Sequence, residues 1–284
     1  MMQYDNGAKQ LKYEVLKTVA KLCFEGTLER EISNIPYQII PGPVPTFRCC
    51  IYREREIIRE RVTAACGIPL PNQSDRGVVA VLPAACEGCP ISRFTVTDNC
   101  QKCLAKKCYS ACPFGAISVT GKKAYIDPAK CKECGRCAAA CPYNAISDTM
   151  RPCLRACPVD AIIMDDYKQA AINYDRCISC GACTTNCPFG AITDRSSMVA
   201  VIHEFKGKRP VYATFAPAIE GHFGAADVGM LKSALKKLGF AGAAEVSLGA
   251  DAVAEHEAQE LKERLSSGMK MTTSCCPAFV EMIE

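Results

Sequence analysis

The residues with the clearest chemical potential are two identical runs of four cysteines, each followed by a proline. The first run consists of Cys131, Cys134, Cys137 and Cys141. The second run consists of Cys177, Cys180, Cys183 and Cys187. In such a run the first three thiolates can hold one 4Fe–4S cluster, while the fourth, which precedes proline, ligates a neighbouring cluster. The spacing therefore predicts iron–sulfur clusters that exchange single electrons.

Two other uses of clustered cysteines fit this sequence less well. A disulfide framework is typical of small secreted domains. Residues 1–10 contain no apolar stretch of signal-peptide length, so we expect a cytoplasmic protein with reduced thiols. Structural zinc sites use separated pairs of cysteines rather than three in succession with a trailing Cys-Pro.

The composition predicts a soluble protein of two or three domains. The chain has 284 residues, and no apolar run approaches the length that spans a membrane. The formal charge is +4 with neutral thiols, but each loaded 4Fe–4S site adds about −2. The lysines between residues 102 and 132 therefore suggest charge compensation or a docking face for an acidic redox partner. Nucleic-acid binding is the competing explanation, but no stacking aromatic residues accompany these lysines.

Residues 1–80 predict a helical region. Apolar residues recur at helical spacing from Leu11 to Cys23, and Gly26 is a plausible end of this helix. A second helix is expected in the charged run Arg53–Arg61, ending at Gly67, with the charges on a solvated face. Prolines between the two helices predict an extended connector. The cysteines of this region are interpreted as buried thiols without a cluster: Cys23, Cys49, Cys50 and Cys66.

Residues 81–196 contain an internal repeat. Four segments share the pattern Cys-Pro-x-x-Ala-Ile, and they begin at Cys112, Cys141, Cys157 and Cys187. Their spacing pairs them into two tandem units, residues 97–147 and 150–194. Each unit resembles a bacterial two-cluster ferredoxin, which implies short helices after the cysteine runs and small antiparallel hairpins.

In the first unit, the exchange of the fourth cysteine between clusters assigns two complete ligand sets. One set is Cys100, Cys103, Cys108 and Cys141. The other set is Cys112, Cys131, Cys134 and Cys137. Four residues rather than two separate Cys103 from Cys108, an insertion of about one turn that can still close on a cube.

The second unit provides one complete set and part of another. The complete set is Cys157, Cys177, Cys180 and Cys183. Cys153 and Cys187 remain, two short of a set. An upstream Cys-x-x-Cys pair, Cys86 and Cys89, would complete a fourth cluster and give sixteen ligands. A degenerate half-site, or a different site at the upstream pair, is the alternative.

From residue 197 the pattern changes to alternating strands and helices. Strands are expected at 210–215, 244–248 and 269–273, and helices at 228–238 and 251–265. This order predicts a parallel sheet, whose functional residues lie at the carboxyl ends of its strands. The segment Thr273-Ser-Cys-Cys-Pro277 lies at such an end.

This region resembles the FeFe hydrogenases, specifically the divergent branch called group B. The matching segments are Phe215-Ala-Pro-Ala218, Gly249-Ala-Asp251 and Thr273-Ser-Cys-Cys-Pro-Ala-Phe279. The last segment corresponds to the family's first active-site motif, which ends in tryptophan rather than phenylalanine in the better-known members. The order of ferredoxin-like clusters before a catalytic domain also fits, so the resemblance covers residues 81–284.

The resemblance implies roles for individual residues. Cys276 would ligate the cubane half of the H-cluster, and Cys275 would stay free beside the diiron half and transfer protons. Glu257 and Glu260 would relay protons from the surface. Two residues would pack against the diiron subsite, Pro217 and Ala218. Without the resemblance, the glutamates read as a solvated helix face and the two cysteines as buried core thiols.

The implied partners are a ferredoxin or another small redox protein and the hydrogenase maturation factors, with no nucleic acid and no membrane. The family also needs three further cubane cysteines and a lysine from later motifs, whereas this chain ends at Glu284. We therefore expect a fragment of a hydrogenase that interconverts protons, electrons and hydrogen, inactive by itself. A polyferredoxin-type carrier or redox sensor is the alternative, and an iron–sulfur assembly factor is a third reading.

The expected fold class is thus α+β combined with α/β. It comprises a helical region (1–80), ferredoxin-like iron–sulfur units (81–196) and the beginning of an α/β catalytic domain (197–284).

Overall fold

A computed structural model describes residues 6–71, 73–75, 77–86, 89, 92–219, 221–224 and 226–283. Three regions follow one another along the chain: a helical N-terminal region, an iron–sulfur block of short strands and helices, and a C-terminal α/β region. None of the helices in these ranges combines the length and apolar character needed to cross a membrane.

From residue 6 onward, the described part of the N-terminal region contains four α-helices and one 3-10 turn. They are α1 Gly7–Glu25, α2 Leu28–Glu31, the 3-10 turn Ile32–Asn34, α3 Ile35–Ile39 and α4 Ile51–Ala65. The Asn6 side chain accepts the backbone N–H of Lys9 and begins α1, while Gly26 ends it in the left-handed region at φ 73°. Both helices predicted from the apolar spacing are therefore present.

Helix α4 is shared between two hydrophobic cores. Its residues Ile58 and Val62 pack with Val15 and Val19 of α1 in the N-terminal core. Its residue Ile57 instead packs in a core formed by the iron–sulfur block. Burial of apolar side chains on two faces fixes α4 between the two regions.

The prediction that the charged run of α4 is a solvated face is wrong for its buried members. Glu54 is fully buried and Arg61 is 6% exposed. The Glu54 side chain accepts backbone N–H groups from Thr46 at 2.6 Å and Arg48 at 2.7 Å, and also from Phe47. These bonds hold the connector between α3 and α4 against the helix, and they compensate for burying the carboxyl group.

The lone cysteines of this region also differ from one another. Cys23 is buried and Cys66 is partly buried, but Cys49 is exposed, so the interpretation as a buried thiol is wrong for Cys49. Burial, followed by the nearby charge of Cys23, raises the pKa of Cys66. Cys23 belongs to α1, and Cys66 directly follows α4.

The iron–sulfur block contains eight short strands and five short helices within the described residues. In chain order they are β1 Val79–Val81, α5 Pro83–Cys86, β2 Phe94–Val96, α6 Lys107–Ser110, β3 Ile117–Ser118, β4 Tyr125–Ile126, α7 Arg136–Ala140, β5 Ile146–Asp148, α8 Pro152–Ala156, β6 Ile162–Met164, β7 Ala170–Ile172, α9 Ala182–Asn186 and β8 Ile192–Asp194. The strands form four antiparallel pairs: β1–β8, β2–β5, β3–β4 and β6–β7.

The strand pairing makes the two ferredoxin-like units nested rather than tandem. In the first unit, β2–β5 closes the ends and β3–β4 is the inner hairpin. In the second unit, β6–β7 is the inner hairpin, but β8 pairs with β1, which precedes the first unit in the chain. Strand β1 and Cys86 therefore join residues 150–194 in the second unit, with the first unit inserted between them. The tandem expectation missed this because β1 is a three-residue strand whose partners, from Ile192 to Asp194, are 111 to 115 residues away in the sequence, and so short a strand carries no periodic signal.

The C-terminal region begins with a helix that contacts α1. Its elements are α10 Met198–Phe205, β9 Tyr212–Phe215, the 3-10 turn Pro217–Ile219, α11 Val228–Leu238, β10 Gly242–Glu245, α12 Ser247–Ser266 and α13 Pro277–Ile283. The Phe205 ring stacks on Phe24 at a centroid distance of 6.2 Å and meets Phe240 edge-on at 4.8 Å. These contacts join the region to the end of α1.

The predicted parallel sheet is present as one β-α-β unit. Strands β9 and β10 pair in parallel, and α11 between them has the predicted bounds. The third predicted strand, 269–273, is wrong because these residues have no regular structure. Helix α12 also begins at Ser247, within the segment expected to be strand. A strand requires a hydrogen-bonded neighbour, and the apolar pattern of 269–273 could not reveal that none pairs with it.

We expect Glu54→Ala to lower the free energy of unfolding by about 2–4 kcal/mol, because buried N–H donors lose their acceptor. The measurement is chemical denaturation of the anaerobically reconstituted chain. Glu56→Ala is the matched control, since Glu56 lies on the same helix in an exposed ion pair with Arg59, and exposed pairs contribute about 0–1 kcal/mol. Equal losses in the two variants would contradict the buried role of Glu54.

Candidate iron–sulfur centres

The structure brings the cysteines of the first unit together in two groups of four. One cavity is lined by Cys100, Cys103, Cys108 and Cys141. A second cavity is lined by Cys112, Cys131, Cys134 and Cys137. In each group, three cysteines come from one loop and the fourth comes from the Cys-Pro segment of the other half. The groups have the same membership as the two ligand sets expected from the sequence.

The loops between the cysteines adopt backbone conformations that suit an anion. In the 131–137 loop, Glu133 and Gly135 have φ values of 54° and 76°. The equivalent Ser179 and Gly181 of the second unit have φ values of 55° and 77°. Alternation into the left-handed region turns successive backbone N–H groups toward a common concavity, as in many iron–sulfur sites. Glycine provides one of the two left-handed positions in each loop without steric cost.

All four Cys-Pro segments share a hydrogen bond from a backbone N–H to the cysteine sulfur. The donor is the alanine four residues later: Ala116 to Cys112 (3.4 Å), Ala145 to Cys141 (3.4 Å), Ala161 to Cys157 (3.1 Å) and Ala191 to Cys187 (3.2 Å). The bond gives a reason for the alanine that stands four residues after each cysteine of the repeat. This alanine is buried in all four segments. Hydrogen bonds to ligand sulfur are one of the ways a protein adjusts the potential of a cluster.

A second recurring bond shows which position Cys86 takes. In the first unit, Ala124, just before β4, donates its N–H to Cys100 Sγ at 3.5 Å. In the second unit, Ala170 of β7 donates its N–H to Cys86 Sγ at 3.2 Å. The two alanines are at corresponding places in the inner hairpins. Cys86 therefore occupies in the second unit the place that Cys100 occupies in the first.

The electrostatic environment of Cys153 shows the members of a fourth group. Burial, together with the nearby thiols of Cys187, Cys86 and Cys89, raises the pKa of Cys153 to about 11. The four thiols therefore lie within each other's field. Cys153 on α8 corresponds to Cys108 on α6, so this group has the same construction as the first cavity of the first unit.

The remaining group in the second unit consists of Cys157, Cys177, Cys180 and Cys183, and we call it the third group. Burial, together with the nearby thiols of Cys177, Cys180 and Cys157, raises the pKa of Cys183 to about 11. The second unit thus repeats the exchange seen in the first, in which each loop receives its fourth cysteine from the other half. The sixteen cysteines of the block fall into four groups of equivalent composition.

The four groups fit 4Fe–4S clusters. Each offers four thiols, backbone N–H bonds to sulfur and neighbouring apolar residues, such as Phe94, Ile117 and Ile126 beside Cys137. Among the described residues, no three His, Cys, Asp or Glu side chains converge as they do around a single metal ion. A cube is held at its corners by thiolates that need not meet at one point. Thiols bind metal as thiolates, so loading these groups would release protons.

The residues implied by the hydrogenase resemblance lie at the surface of the C-terminal region. Cys275 and Cys276 are both exposed, so their interpretation as buried core thiols is wrong. The Thr273 hydroxyl donates to Glu257 at 2.6 Å and connects α12 with the loop that carries the two cysteines. Glu260, one turn further along α12, is in an ion pair with Arg264. Two exposed residues lie in the 3-10 turn after β9, Pro217 and Ala218.

Three arginines near the fourth group were missed by reasoning from the sequence. They are Arg48, Arg61 and Arg151. Arg151 could have been noticed, because it stands two residues before Cys153. Nothing in the sequence indicates that the other two, more than 85 residues away from Cys153, reach the same group.

Family comparisons match three consecutive segments of the chain. Residues 99–145 match a 4Fe–4S dicluster domain, and residues 146–198 match an LdpA Fe–S cluster-binding domain. Residues 209–284 match the C-terminal domain of the iron-only hydrogenase large subunit. The matches confirm the coarse prediction of ferredoxin-like iron–sulfur segments followed by a hydrogenase-like region. Together they support a hydrogenase-like iron–sulfur protein.

We expect Cys89→Ala to remove about four of about sixteen irons per chain, because a 4Fe–4S cluster needs four protein ligands. Iron and sulfide analysis after anaerobic reconstitution provides the measurement. Cys49→Ala is the control, since Cys49 is exposed and lies outside the four groups. Full iron content in Cys89→Ala would show that the upstream pair does not hold a cluster.

Proposed function

We propose that this chain conducts electrons between a small redox protein and an H-cluster, in an FeFe hydrogenase of the group B type that interconverts hydrogen with two protons and two electrons. The observation that carries the proposal is the presence of four equivalent four-cysteine groups in one block, directly before a hydrogenase-like segment. Several groups in succession suit transport of electrons over a distance, whereas a single group would suit a structural role.

A 4Fe–4S cluster with four thiolate ligands takes up or gives up one electron and has no open position for substrate. The chain's residues provide what such a group needs. Cysteines would hold each cluster, and alanine N–H groups would stabilise the charge on the cysteine sulfurs. Apolar residues of two hydrophobic cores pack beside the cysteines and exclude water from them. These cores are distinct, one for each unit, so each pair of groups has its own rigid support.

The group of Cys100, Cys103, Cys108 and Cys141 offers a surface for the electron partner. Lys102 and Lys106 line its cavity, and Leu104 between them is 96% exposed. A protruding apolar side chain flanked by two cations suits a transient contact with an acidic protein such as a ferredoxin. Electrostatic attraction of this kind speeds association and weakens as salt concentration rises.

On the hydrogen side, Cys276 is proposed as a ligand of the H-cluster cubane and Cys275 as the proton-transferring thiol. A thiol suits proton transfer when its surroundings bring its pKa close to the working pH. Glu257 is the best placed acidic residue, because Thr273 links it to the cysteine loop at 2.6 Å. Glu260 would extend the proton path toward the surface, and Pro217 and Ala218 would pack against the diiron subsite.

The hydrogenase-like segment, residues 209–284, contains two cysteines. A cubane needs four ligands, so the proposal requires cysteines besides Cys276 to complete the H-cluster, together with the maturation factors that insert it. Cytoplasmic location is part of the proposal, since reduced thiols are needed to assemble all four groups.

We expect Cys275→Ala, introduced into the natural gene and matured in its host, to lower hydrogen evolution from reduced viologen by about 10²–10⁴-fold, which is typical for loss of a general acid. Iron content should stay unchanged, because this cysteine is not assigned as a ligand. Cys49→Ala serves as the control for loss of an exposed thiol.

Undiminished hydrogen evolution in Cys275→Ala would contradict the proton-transfer role. If the matured unsubstituted protein produced no hydrogen but still accepted about one electron per cluster from dithionite, an electron carrier or redox sensor would be the better description.

A further inference from the structure

The group formed by Cys86, Cys89, Cys153 and Cys187 lies beside a buried arginine. Arg151 is 7% exposed and donates from Nη1 to Cys86 Sγ at 3.8 Å. Burial raises the pKa of Cys89, whereas the positive charges of Arg151 and Arg48 lower it. The arginine therefore acts electrostatically on two of the four thiols.

Two more arginines reach this group from the N-terminal region. Arg48 donates from Nη2 to the Ala85 carbonyl at 2.9 Å, next to Cys86. Arg61 donates from Nη2 to the Gly190 carbonyl at 2.7 Å, three residues after Cys187. Both guanidinium groups thus contact the backbone of the segments that carry the cysteines.

The charges of these two arginines are incompletely compensated. The Nε atoms of Arg48 and Arg61 are buried and have no hydrogen-bond partner within the described part of the chain. Burial lowers the pKa of Arg61, and the neighbouring Cys187 thiol opposes this effect. A buried guanidinium N–H without an acceptor is costly, and a neighbouring anion would offset this cost.

The nearby acidic side chains supply only part of that compensation. Glu60 accepts the Ala84 N–H at 3.1 Å, and burial raises its pKa to about 7. Burial therefore favours the neutral form of this carboxyl group. Glu54 is directed to the backbone N–H groups of the loop before α4. The surroundings of the fourth group retain an excess of positive charge.

The first two groups also have cations beside them, but these cations are exposed. Lys102 and Lys106 line the cavity of Cys100, Cys103, Cys108 and Cys141, and Lys132 and Arg136 line that of Cys112, Cys131, Cys134 and Cys137. Arg176, which precedes Cys177 of the third group, is exposed as well. Because solvent screens exposed charges more strongly than buried ones, the buried Arg61 and Arg151 distinguish the fourth group.

We propose that Arg48, Arg61 and Arg151 compensate the charge of a cluster held by Cys86, Cys89, Cys153 and Cys187, and give it the highest reduction potential of the four. This inference rests on the proposed function in that all four groups must hold clusters. Reduction adds one negative charge to a cluster, and fixed cations in a buried site stabilise the more negative form. Electrons entering the chain therefore collect first at this cluster.

The position of Arg151 suits such a collecting site. It lines a cleft between the two units together with Cys131, which belongs to the group of Cys112, Cys131, Cys134 and Cys137. Arg151 thus stands between the fourth group and a thiol of the other unit. A cluster of higher potential at this place draws electrons from the first unit into the second.

The test is a potentiometric titration of the reconstituted full chain, followed by EPR spectroscopy. The signal of this cluster is assigned by its loss in Cys89→Ala. Arg151→Gln should make the reduced form at least tenfold less favoured, a downward shift of about 59 mV for a one-electron couple, and leave the other midpoints in place. Arg151→Lys keeps the charge and should retain most of the potential. Arg155→Gln is the matched control, since Arg155 is exposed on α8, the helix that directly follows Arg151.

An unchanged midpoint in Arg151→Gln, or an equal shift in Arg155→Gln, would overturn the inference. If Arg151→Gln lost about four irons, Arg48→Gln would be titrated instead, with the same downward shift expected. Loss of the cluster in both variants would show that the arginines are structural and would also overturn it. Failure of the proposed function looks different, because the unsubstituted chain would then hold about twelve irons or fewer.

Discussion

Each four-cysteine group joins three thiols of one loop to a fourth thiol from a distant Cys-Pro segment, and the rest of the iron–sulfur block depends on this exchange. The strands are two or three residues long and the helices four or five, so regular structure alone stabilises little of the block. The exchanged cysteine links the two halves of each unit through the cluster it would share. Metal binding and folding are therefore coupled in this block.

The same constraint explains the nested order of the units. A second unit made only of residues 150–194 has two thiols without partners and an unpaired edge at β8. Pairing of β1 with β8 satisfies the edge and delivers Cys86 to the hairpin, where Ala170 contacts it. The unit inserted between the two pieces is closed by its own β2–β5 pair, so the insertion disturbs neither core.

Helix α4 connects the cofactor-binding block to the remainder of the molecule by charge as well as by packing. Its apolar residues enter two cores, while Glu60 accepts the Ala84 N–H and Arg61 donates to the Gly190 carbonyl. The N-terminal region thereby becomes part of the environment of the fourth group. This gives a functional meaning to a region whose sequence showed only amphipathic helices.

The sequence by itself determined the chemistry of this protein. Thiol spacing around Cys131–Cys141 and Cys177–Cys187 specifies cubane binding, because ligand geometry is local to a loop of about ten residues. Local patterns also predicted helices α1 and α11. In the first unit, local spacing identified the three loop cysteines of each group, and the exchange rule supplied the fourth. The Thr-Ser-Cys-Cys-Pro segment, again a local pattern, indicated a hydrogenase-like region.

Tertiary structure decided what depends on residues far apart in the chain. It placed Cys86 in the second unit, buried Glu54 and Arg61 on a helix that reads as solvated, and left 269–273 without a strand partner. Strand pairing and charge compensation are long-range: a short strand or a buried ion has no periodic signature, and its place is set by the groups it meets after folding.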